Sequence, residues 1–309
     1  MRARILLLPG SAQGEAQCAC AEQLLTDISA AFDHSFSLIR GKLGPDISEK
    51  TIEECESSQG ILLGDADCAG AAALYDALDM PLRIRSLCVP EALCARHESP
   101  VRLWLGRVLS LDDGTLRAAM SGAFHFAREE DARLLHVAPA GAIRADWTAA
   151  VRAQGAATPV ISVDAIDAPD AVSALIRNPG RLGLMLCPPY AGSILEAAAT
   201  ALCAHPEMIF DFAEDESIGI YTPHVPAPEE GAADQAPPFA MALAVSRMLR
   251  VSLRLSREAA CLDAAIQNVL ANSYLMRRGG QENERSSLDL ICEQIAVAGE
   301  LMGKGGIKP

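Results

Sequence analysis

The stretch Thr51-Ile-Glu-Glu-Cys-Glu-Ser-Ser-Gln-Gly-Ile-Leu-Leu-Gly64 carries the pattern that decides the fold. Its last five residues form a short apolar run between two glycines, which predicts a buried strand. A similar run, Ile5–Leu8, ends in Pro9-Gly10 and is followed by a helical pattern over 14–32. Strand and helix signals that alternate at this short spacing predict an α/β fold with crossover connections.

The same alternation continues through the rest of the chain. Further strands are predicted at 101–111, 133–137, 160–163 and 182–186, and helices at 69–78, 115–131, 143–154, 168–177, 193–203, 239–253, 256–271 and 286–302. A proline-rich and acidic stretch, Pro223–Pro238, lacks periodicity and is predicted to be a loop. Loops of this length in compact domains are often functional.

The composition excludes several classes of protein. Half of the 309 residues are hydrophobic, and the formal net charge is −14. Such an acidic chain disfavours nucleic acid, and no run approaches the roughly 20 apolar residues of a membrane span. Ten cysteines without a CxxC pair predict buried free thiols and no zinc site. We therefore expect a protein of the reducing cytoplasm that binds neither nucleic acid nor membrane.

Segments in four places resemble motifs of one dehydrogenase family, in the order in which the family has them. The segments are Leu8–Gly14, Thr51–Gly64, Leu78–Arg85 and Pro223–Glu229. They resemble a Leu-Pro-Gly-Asp-Gly-Ile-Gly loop, a Thr-Leu-Glu-x-Cys helix with a Val-Leu-Leu-Gly strand, a Leu-Asp-Leu…Leu-Arg-Pro segment and a Pro-x-His-Gly-Ser-Ala-Pro-Asp loop. The chain is thereby identified as a divergent member of the isocitrate/isopropylmalate dehydrogenase family, similar to its 3-isopropylmalate dehydrogenases.

This resemblance implies an α/β fold with an open mixed sheet and two discontinuous domains. A nucleotide-binding-like domain would comprise residues 1–90 and 214–309, and a dimerisation and substrate-binding domain residues 91–213. Family members oxidise and decarboxylate a 2-hydroxy acid in the cleft between the domains, with NAD and a divalent metal. The resemblance also implies a homodimer, although the chain is shortened where the family has its dimer clasp.

The catalytic positions of the family hold residues without the required chemistry. The resemblance places Pro139 at the catalytic lysine, and Pro169, Ser193 and Ala197 at the three metal-binding aspartates. No tyrosine occurs at 109–114, where the family has its catalytic tyrosine. Proline cannot transfer a proton, and Mg²⁺ needs carboxylate oxygens. We therefore expect no catalytic residue of the family reaction and no Mg²⁺ or Mn²⁺ site.

Nearby carboxylates complicate the metal prediction. Glu196 lies one position from Ala197, which on a helix turns its carboxylate by about 100°. Asp164, Asp167 and Asp170 are close enough to Pro169 that a slip of one residue would restore one ligand. A single carboxylate would still be a poor Mg²⁺ site.

Some binding positions remain. Arg85 and Arg96 match family arginines that grip the substrate carboxylates, and the alternative is that they are surface arginines of an acidic protein. His224 and Glu229 match residues on the cofactor side. Val225 replaces a glycine there, so NAD is expected to bind weakly and not to be required.

Three hypotheses follow. The first is a ligand-binding or regulatory pseudoenzyme that binds a small carboxylic acid or nucleotide, as a homodimer or as a heteromer with an active paralogue. The second is an NAD-dependent oxidoreductase of altered chemistry, acting on a 2-hydroxy acid in the same cleft. It would use His136, Asp112 and the 164–170 aspartates. The third is a structural or interaction protein with a closed cleft.

Overall fold

A computed structural model describes residues 1–89, 101–141, 143–215, 217–224, 238–278 and 286–304. For 273–278 and 302–304 only the backbone is described. The strands are β1 (Arg2–Leu8), β2 (Ser35–Arg40), β3 (Gly60–Leu63), β4 (Leu82–Ser86), β5 (Leu103–Val108), β6 (Leu134–Ala138), β7 (Val163–Asp167), β8 (Gly183–Cys187), β9 (Phe210–Glu214) and β10 (Gly219–Pro223). The helices are α1 (Ala12–Phe32), α2 (Glu49–Glu56), α3 (Ala71–Ala77), α4 (Asp113–Glu129), α5 (Ile143–Ala157), α6 (Ala168–Arg177), α7 (Pro189–Leu202), α8 (Phe239–Val251), α9 (Ser256–Arg278) and α10 (Ser287–Lys304).

The first of two compact units combines Met1–Ala77 with Glu216–Pro309. Its strands follow the order β2-β1-β3-β10, and each neighbouring pair is parallel. The chain turns from β1 into α1 within three residues, where Ser11 caps the helix by accepting from the Gly14 amide at 3.1 Å. A β-carbon at Gly14 would lie 1.8 Å from the Pro9 carbonyl oxygen, so this tight turn requires glycine.

The second unit is the continuous segment Leu78–Asp215, with strand order β9-β4-β5-β8-β6-β7. β4 is antiparallel to both β5 and β9, whereas the remaining pairs are parallel, so this sheet is open and mixed. One hydrophobic cluster of this unit is aliphatic, with Leu105, Leu135, Val137 and Met185 at most 5% exposed. These features confirm the predicted α/β class.

The first boundary between the units lies between Ala77 and Leu78, earlier than the predicted position after residue 90. The reason is strand pairing, because β4 forms its ladders with β5 and β9 of the middle unit. The second boundary, between Asp215 and Glu216, lies close to the predicted one at 213/214.

Most of the predicted helices and strands are confirmed, but the strand predicted at 160–163 is wrong. Val160 is 76% exposed and lies in a turn, in which the Ile161 amide donates to the Thr158 carbonyl. The strand begins at Val163 instead and pairs only with β6, at the edge of the sheet. The predicted loop Pro223–Pro238 falls largely outside the described residues.

Among the described residues, no helix is both long and apolar enough to cross a membrane. The cysteines described are all free thiols, and five of them are buried: Cys18, Cys20, Cys55, Cys187 and Cys292. Burial raises the pKa of Cys18, Cys20 and Cys55 to about 12, so these thiols stay protonated at neutral pH.

Candidate functional site

Helix α7 presents two chemically different faces. Ser193 and Ala197, at the predicted aspartate positions, are exposed, and the Ser193 hydroxyl donates to the Tyr190 carbonyl oxygen at 2.8 Å. Glu196, turned by about 100° from Ala197 around the helix, lies on the buried face and is 4% exposed. A β-carbon at Gly192 would lie 2.7 Å from Cγ of Arg107, so the start of the helix packs tightly on β5.

The buried face of α7 contributes one carboxylate to a cluster of charged residues in the second unit. Glu196 accepts a hydrogen bond from Arg83 of β4 at 2.7 Å. Arg107 of β5 forms a longer ion pair with Glu196, with Nε 3.5 Å from Oε1. Arg83 and Arg107 are cross-strand partners in the β4–β5 ladder, so the sheet itself brings their guanidinium groups to the same carboxylate.

The second carboxylate of this cluster is Asp211, which is fully buried on β9. Arg85, its cross-strand partner on β4, donates to both carboxylate oxygens at 2.7 and 2.8 Å. The same guanidinium also donates to Thr200 Oγ1 at 3.0 Å. Burial alone would lower the pKa of Arg85, but the charge and hydrogen bond of Asp211, together with the charge of Glu196, raise it.

This arginine–carboxylate cluster therefore consists of Arg83, Arg85, Arg107, Glu196 and Asp211. Within the described parts of the chain, three guanidinium groups of this cluster face two carboxylates. Arg107 has the most exposed side chain of the five, at 22%. Burial, and after it the positive charge of Arg83, lowers the pKa of Arg107. Arg107 is therefore the most accessible guanidinium group of the cluster.

The predicted binding residues have different positions in the structure. Arg85 is buried and engaged by Asp211 and Thr200, so a ligand carboxylate would have to compete with both. His224 directly follows β10 and is half-buried. Arg96 and Glu229 lie outside the described residues, and their predicted roles stay predictions.

The predicted positions of the catalytic lysine and of the third aspartate are at the ends of secondary structure elements. Pro139 directly follows β6 and is half-buried, whereas Pro169 is exposed in the first turn of α6. Proline is well suited to a first helical turn, where its missing amide hydrogen costs nothing. Nearby, Asp164 pairs with Arg133 at 2.6 Å and Asp167 with Arg144 at 3.0 Å, both in exposed ion pairs.

Asp112, a candidate acid or base of the second hypothesis, caps helix α4. Its carboxylate accepts hydrogen bonds from the Ser110 hydroxyl at 2.6 Å and from the Thr115 amide at 2.9 Å. These bonds, the one from Ser110 most strongly, lower the pKa of Asp112 to about 2. A carboxylate this acidic is a poor base at neutral pH.

His136 is a buried histidine whose partner the sequence did not identify. The Trp147 indole N–H donates to His136 Nδ1 at 3.2 Å, and both side chains are buried. Burial lowers the pKa of His136, and the positive charge of Arg144 lowers it further. The alternation along β6 could have indicated its direction, since Leu135 and Val137 are core residues on the other face.

Comparison with known proteins gives the class to which this fold and site belong. The sequence model of the family described as isocitrate/isopropylmalate dehydrogenase matches residues 113–287, more than half of the chain. The chain therefore belongs to the isocitrate/isopropylmalate dehydrogenase family.

Particular relatives are 3-isopropylmalate dehydrogenases. The enzyme from Shouchella clausii is 23% identical over 327 residues, covering 88% of this chain and 90% of that protein. The one from Bacillus cereus is 24% identical over 356 residues, covering 99% of this chain and 100% of its own length. A crystal structure of isocitrate dehydrogenase from Methylococcus capsulatus has a TM-score of 0.79 at 14% identity, covering 95% of this chain and 99% of that chain. This structural likeness confirms the predicted family fold.

Proposed function

We propose that this chain keeps the scaffold of its family and lacks the family's metal- and NAD-dependent oxidative decarboxylation. It would act as a ligand-binding or regulatory protein, with a small carboxylic acid or nucleotide as its ligand. The proposal rests on the chemistry available at the positions that the family uses for metal binding and proton transfer.

The observation that carries this proposal is the placement of oxygen donors on α7. A metal-binding face would need carboxylates at positions 193 and 197, which hold a serine hydroxyl and a methyl group. The nearest carboxylate, Glu196, is on the buried face and bonded to Arg83. Turning it outward would leave Arg83 and Arg107 without their shared partner, at a high cost in free energy. The residues present therefore do not fit Mg²⁺ or Mn²⁺.

The remaining groups support the same conclusion. Pro139 offers no proton donor or acceptor on its side chain at the position of the family lysine. NAD would bind weakly, and among its two predicted contacts only His224 lies within the described residues. The oxidoreductase of altered chemistry is less well supported, because Asp112 caps a helix and Asp164 and Asp167 are in exposed ion pairs.

The proposal includes a dimer formed through the second unit, with itself or with an active paralogue. Helices α6 and α7 expose the large apolar side chains of Ile176, Tyr190, Ile194 and Leu202, each by 47% or more. Exposed apolar side chains of this kind often mark protein interfaces. Sedimentation equilibrium of the purified chain alone would give a dimer mass if it pairs with itself and a monomer mass if it needs the paralogue.

The metal part of the proposal is tested by Mn²⁺ binding, measured by electron paramagnetic resonance with 3-isopropylmalate present. We expect the free Mn²⁺ signal to remain unchanged when the protein is added. A variant with Ser193→Asp and Ala197→Asp should reduce that signal, because it restores two exposed carboxylates. The matched variant with Ser193→Asn and Ala197→Asn should not. Tight binding of Mn²⁺ by the unmodified protein would overturn the proposal.

A further inference from the structure

A pocket of about 730 Å³ lies between helix α5 and strands β6 and β7 of the second unit. None of the residues of the arginine–carboxylate cluster lines it. Its polar lining consists of His136, Arg144, Thr148 and Arg152, and much of the remaining wall is aliphatic. A concave site of this size, with a few convergent polar groups on an apolar wall, has the general form of a small-molecule site.

His136 contributes a hydrogen-bond donor of fixed orientation to this pocket. Because the Trp147 indole donates to Nδ1, the neutral imidazole carries its proton on Nε2. Within the described part of the chain, Nε2 makes no hydrogen bond. Burial and Arg144 lower the pKa of His136, so the ring is neutral at pH 7. The pocket therefore contains the Nε2–H donor of His136 in addition to its two arginines.

The two arginines make the pocket attractive to an anion. Arg152 is exposed on α5 and forms no ion pair with any described residue, whereas Arg144 pairs with Asp167 at 3.0 Å. The ion pair between Arg144 and Asp167 is exposed, with the two side chains 56% and 59% accessible. A ligand carboxylate can therefore replace Asp167 as the partner of Arg144 at little cost in free energy. No aspartate or glutamate lines the pocket, although the whole chain carries a net charge of −14. The pocket is thus a local positive site on an acidic protein.

The apolar wall restricts the kind of anion that fits. Val151, Ile161 and Val163 line the pocket together with several alanines. Inorganic phosphate would leave this wall uncovered, whereas an organic acid would cover it with its hydrocarbon part. The planar fork of a guanidinium matches the two oxygens of a carboxylate.

We propose that this pocket is a binding site for a small organic acid with a branched or otherwise apolar body. Its carboxylate accepts hydrogen bonds from Arg152, Arg144 and the Nε2–H of His136, and its hydrocarbon part packs on Val151, Ile161 and Val163. The site stands independently of whether the family reaction is retained, because it uses none of the family's catalytic positions.

The test is a titration of the full-length protein with 4-methylpentanoate, followed by calorimetry and by ¹H–¹⁵N NMR. The chain has two tryptophans, so the indole N–H of Trp147 is one of two peaks and is identified with a Trp104→Phe variant. We expect saturable binding that shifts the Trp147 peak, because its hydrogen-bond partner His136 contacts the ligand. The uncharged isostere 4-methylpentan-1-ol and inorganic phosphate should not saturate the site.

Two variants with the same change of side chain provide the control. Arg152→Gln should weaken 4-methylpentanoate binding by about tenfold or more, since it removes a charged hydrogen-bond donor. Arg181→Gln, an exposed arginine of the same unit that does not line the pocket, should leave the affinity unchanged. The proposal is overturned if the acid fails to bind, if phosphate binds and the acid does not, or if the two variants behave alike.

Discussion

Glu196 is a buried carboxylate whose hydrogen bond to Arg83 is 2.7 Å long and whose ion pair with Arg107 is 3.5 Å long. Transferring a charge from water into the protein interior costs free energy, and only a complete set of ion pairs and hydrogen bonds offsets this cost. If Glu196 loses its charge, three guanidinium groups of the cluster face the single carboxylate of Asp211. The residue is therefore part of the fold of the second unit and is unavailable to an external ligand.

We predict that Glu196→Gln lowers the free energy of unfolding by about 3–5 kcal/mol, the cost of breaking a buried ion pair. Urea denaturation followed by tryptophan fluorescence measures this, because both tryptophans, Trp104 and Trp147, lie in the second unit. Glu129→Gln, which changes an exposed contact with His125, should cost less than about 1 kcal/mol. Equal effects of the two substitutions would contradict the role given to Glu196.

The buried ring of His136 should make the stability of the protein depend on pH. Its pKa in the folded protein is below the ordinary value of 6.5, so the unfolded chain takes up the proton first as pH falls. The stability that depends on neutral His136 is present above pH 6.5 and is lost as the pH falls below it. His136→Gln keeps an acceptor for the Trp147 indole and removes this titration.

The free energy of unfolding should therefore fall less between pH 7.5 and pH 5.5 in His136→Gln than in the unmodified protein. These pH values lie about one unit on either side of the ordinary histidine pKa of 6.5. Urea denaturation at both pH values measures the difference. If the free energy of unfolding of His136→Gln had the same pH dependence as that of the unmodified protein, the prediction would be contradicted. The pKa of His136 would then be the same in the folded and unfolded states.

At the scale of single residues, the sequence predicts which residue types stand at the family's site positions. It does not predict which side chains contact each other in the fold. The resemblance predicts that Pro139, Pro169, Ser193 and Ala197 stand at the family's catalytic and metal-binding positions, and this stays a prediction. It could not foresee that Arg85 is occupied by Asp211, which is 126 residues away in the chain. Such contacts depend on which strands become neighbours, and a single sequence does not specify that order.

Among the secondary structure elements, β8 begins at a glycine with a backbone that other residues rarely adopt. Gly183 has φ +66°, and a β-carbon there would lie 2.6 Å from the Arg133 carbonyl oxygen. Its neighbour Leu184 donates to that same carbonyl at 3.0 Å, which holds the start of β8 in place. The central position of β8 between β5 and β6 thus depends on this residue.

Gly183→Ala should destabilise the second unit by about 1–3 kcal/mol, through the positive φ and the contact with backbone. Gly155→Ala is the matched control, because Gly155 lies in α5 and its added β-carbon would meet Phe124 only at 3.8 Å. That change should be neutral or stabilising by up to about 1 kcal/mol. Both values come from urea denaturation, and a neutral Gly183→Ala would contradict the strain assigned to this turn.

The elements that could be predicted are those with a strong apolar signal. Ile5–Leu8 and the 60–64 run are fully buried strands in parallel ladders, so their side chains are apolar on both faces. The position of β7 was predicted wrongly because β7 is an edge strand. Its sequence, Val-Asp-Ala-Ile-Asp, is largely exposed and lacks a continuous apolar run. β2, an edge strand of the other unit, was missed for the same reason.

For the molecule as a whole, the chain belongs to the isocitrate/isopropylmalate dehydrogenase family and has the fold of its members. Its curated relatives match it over nearly the full length at 23–24% identity. Over the described residues, the two units have the strand pairing and cores of an intact α/β protein. Under the proposed function, the residues present on α7 and after β6 change the chemistry of the site while the fold is maintained.

The central claim is that this protein does not catalyse oxidative decarboxylation of 3-isopropylmalate. It is tested by following NADH absorbance after mixing the protein with 3-isopropylmalate, NAD and Mg²⁺ or Mn²⁺, with the Shouchella clausii enzyme assayed alongside. Loss of a general base alone typically costs 10²–10⁴-fold in rate, and the proposal adds the loss of the metal ligands. We predict no NADH formation above the protein-free control. Turnover at a rate comparable to that of the Shouchella clausii enzyme would contradict the claim.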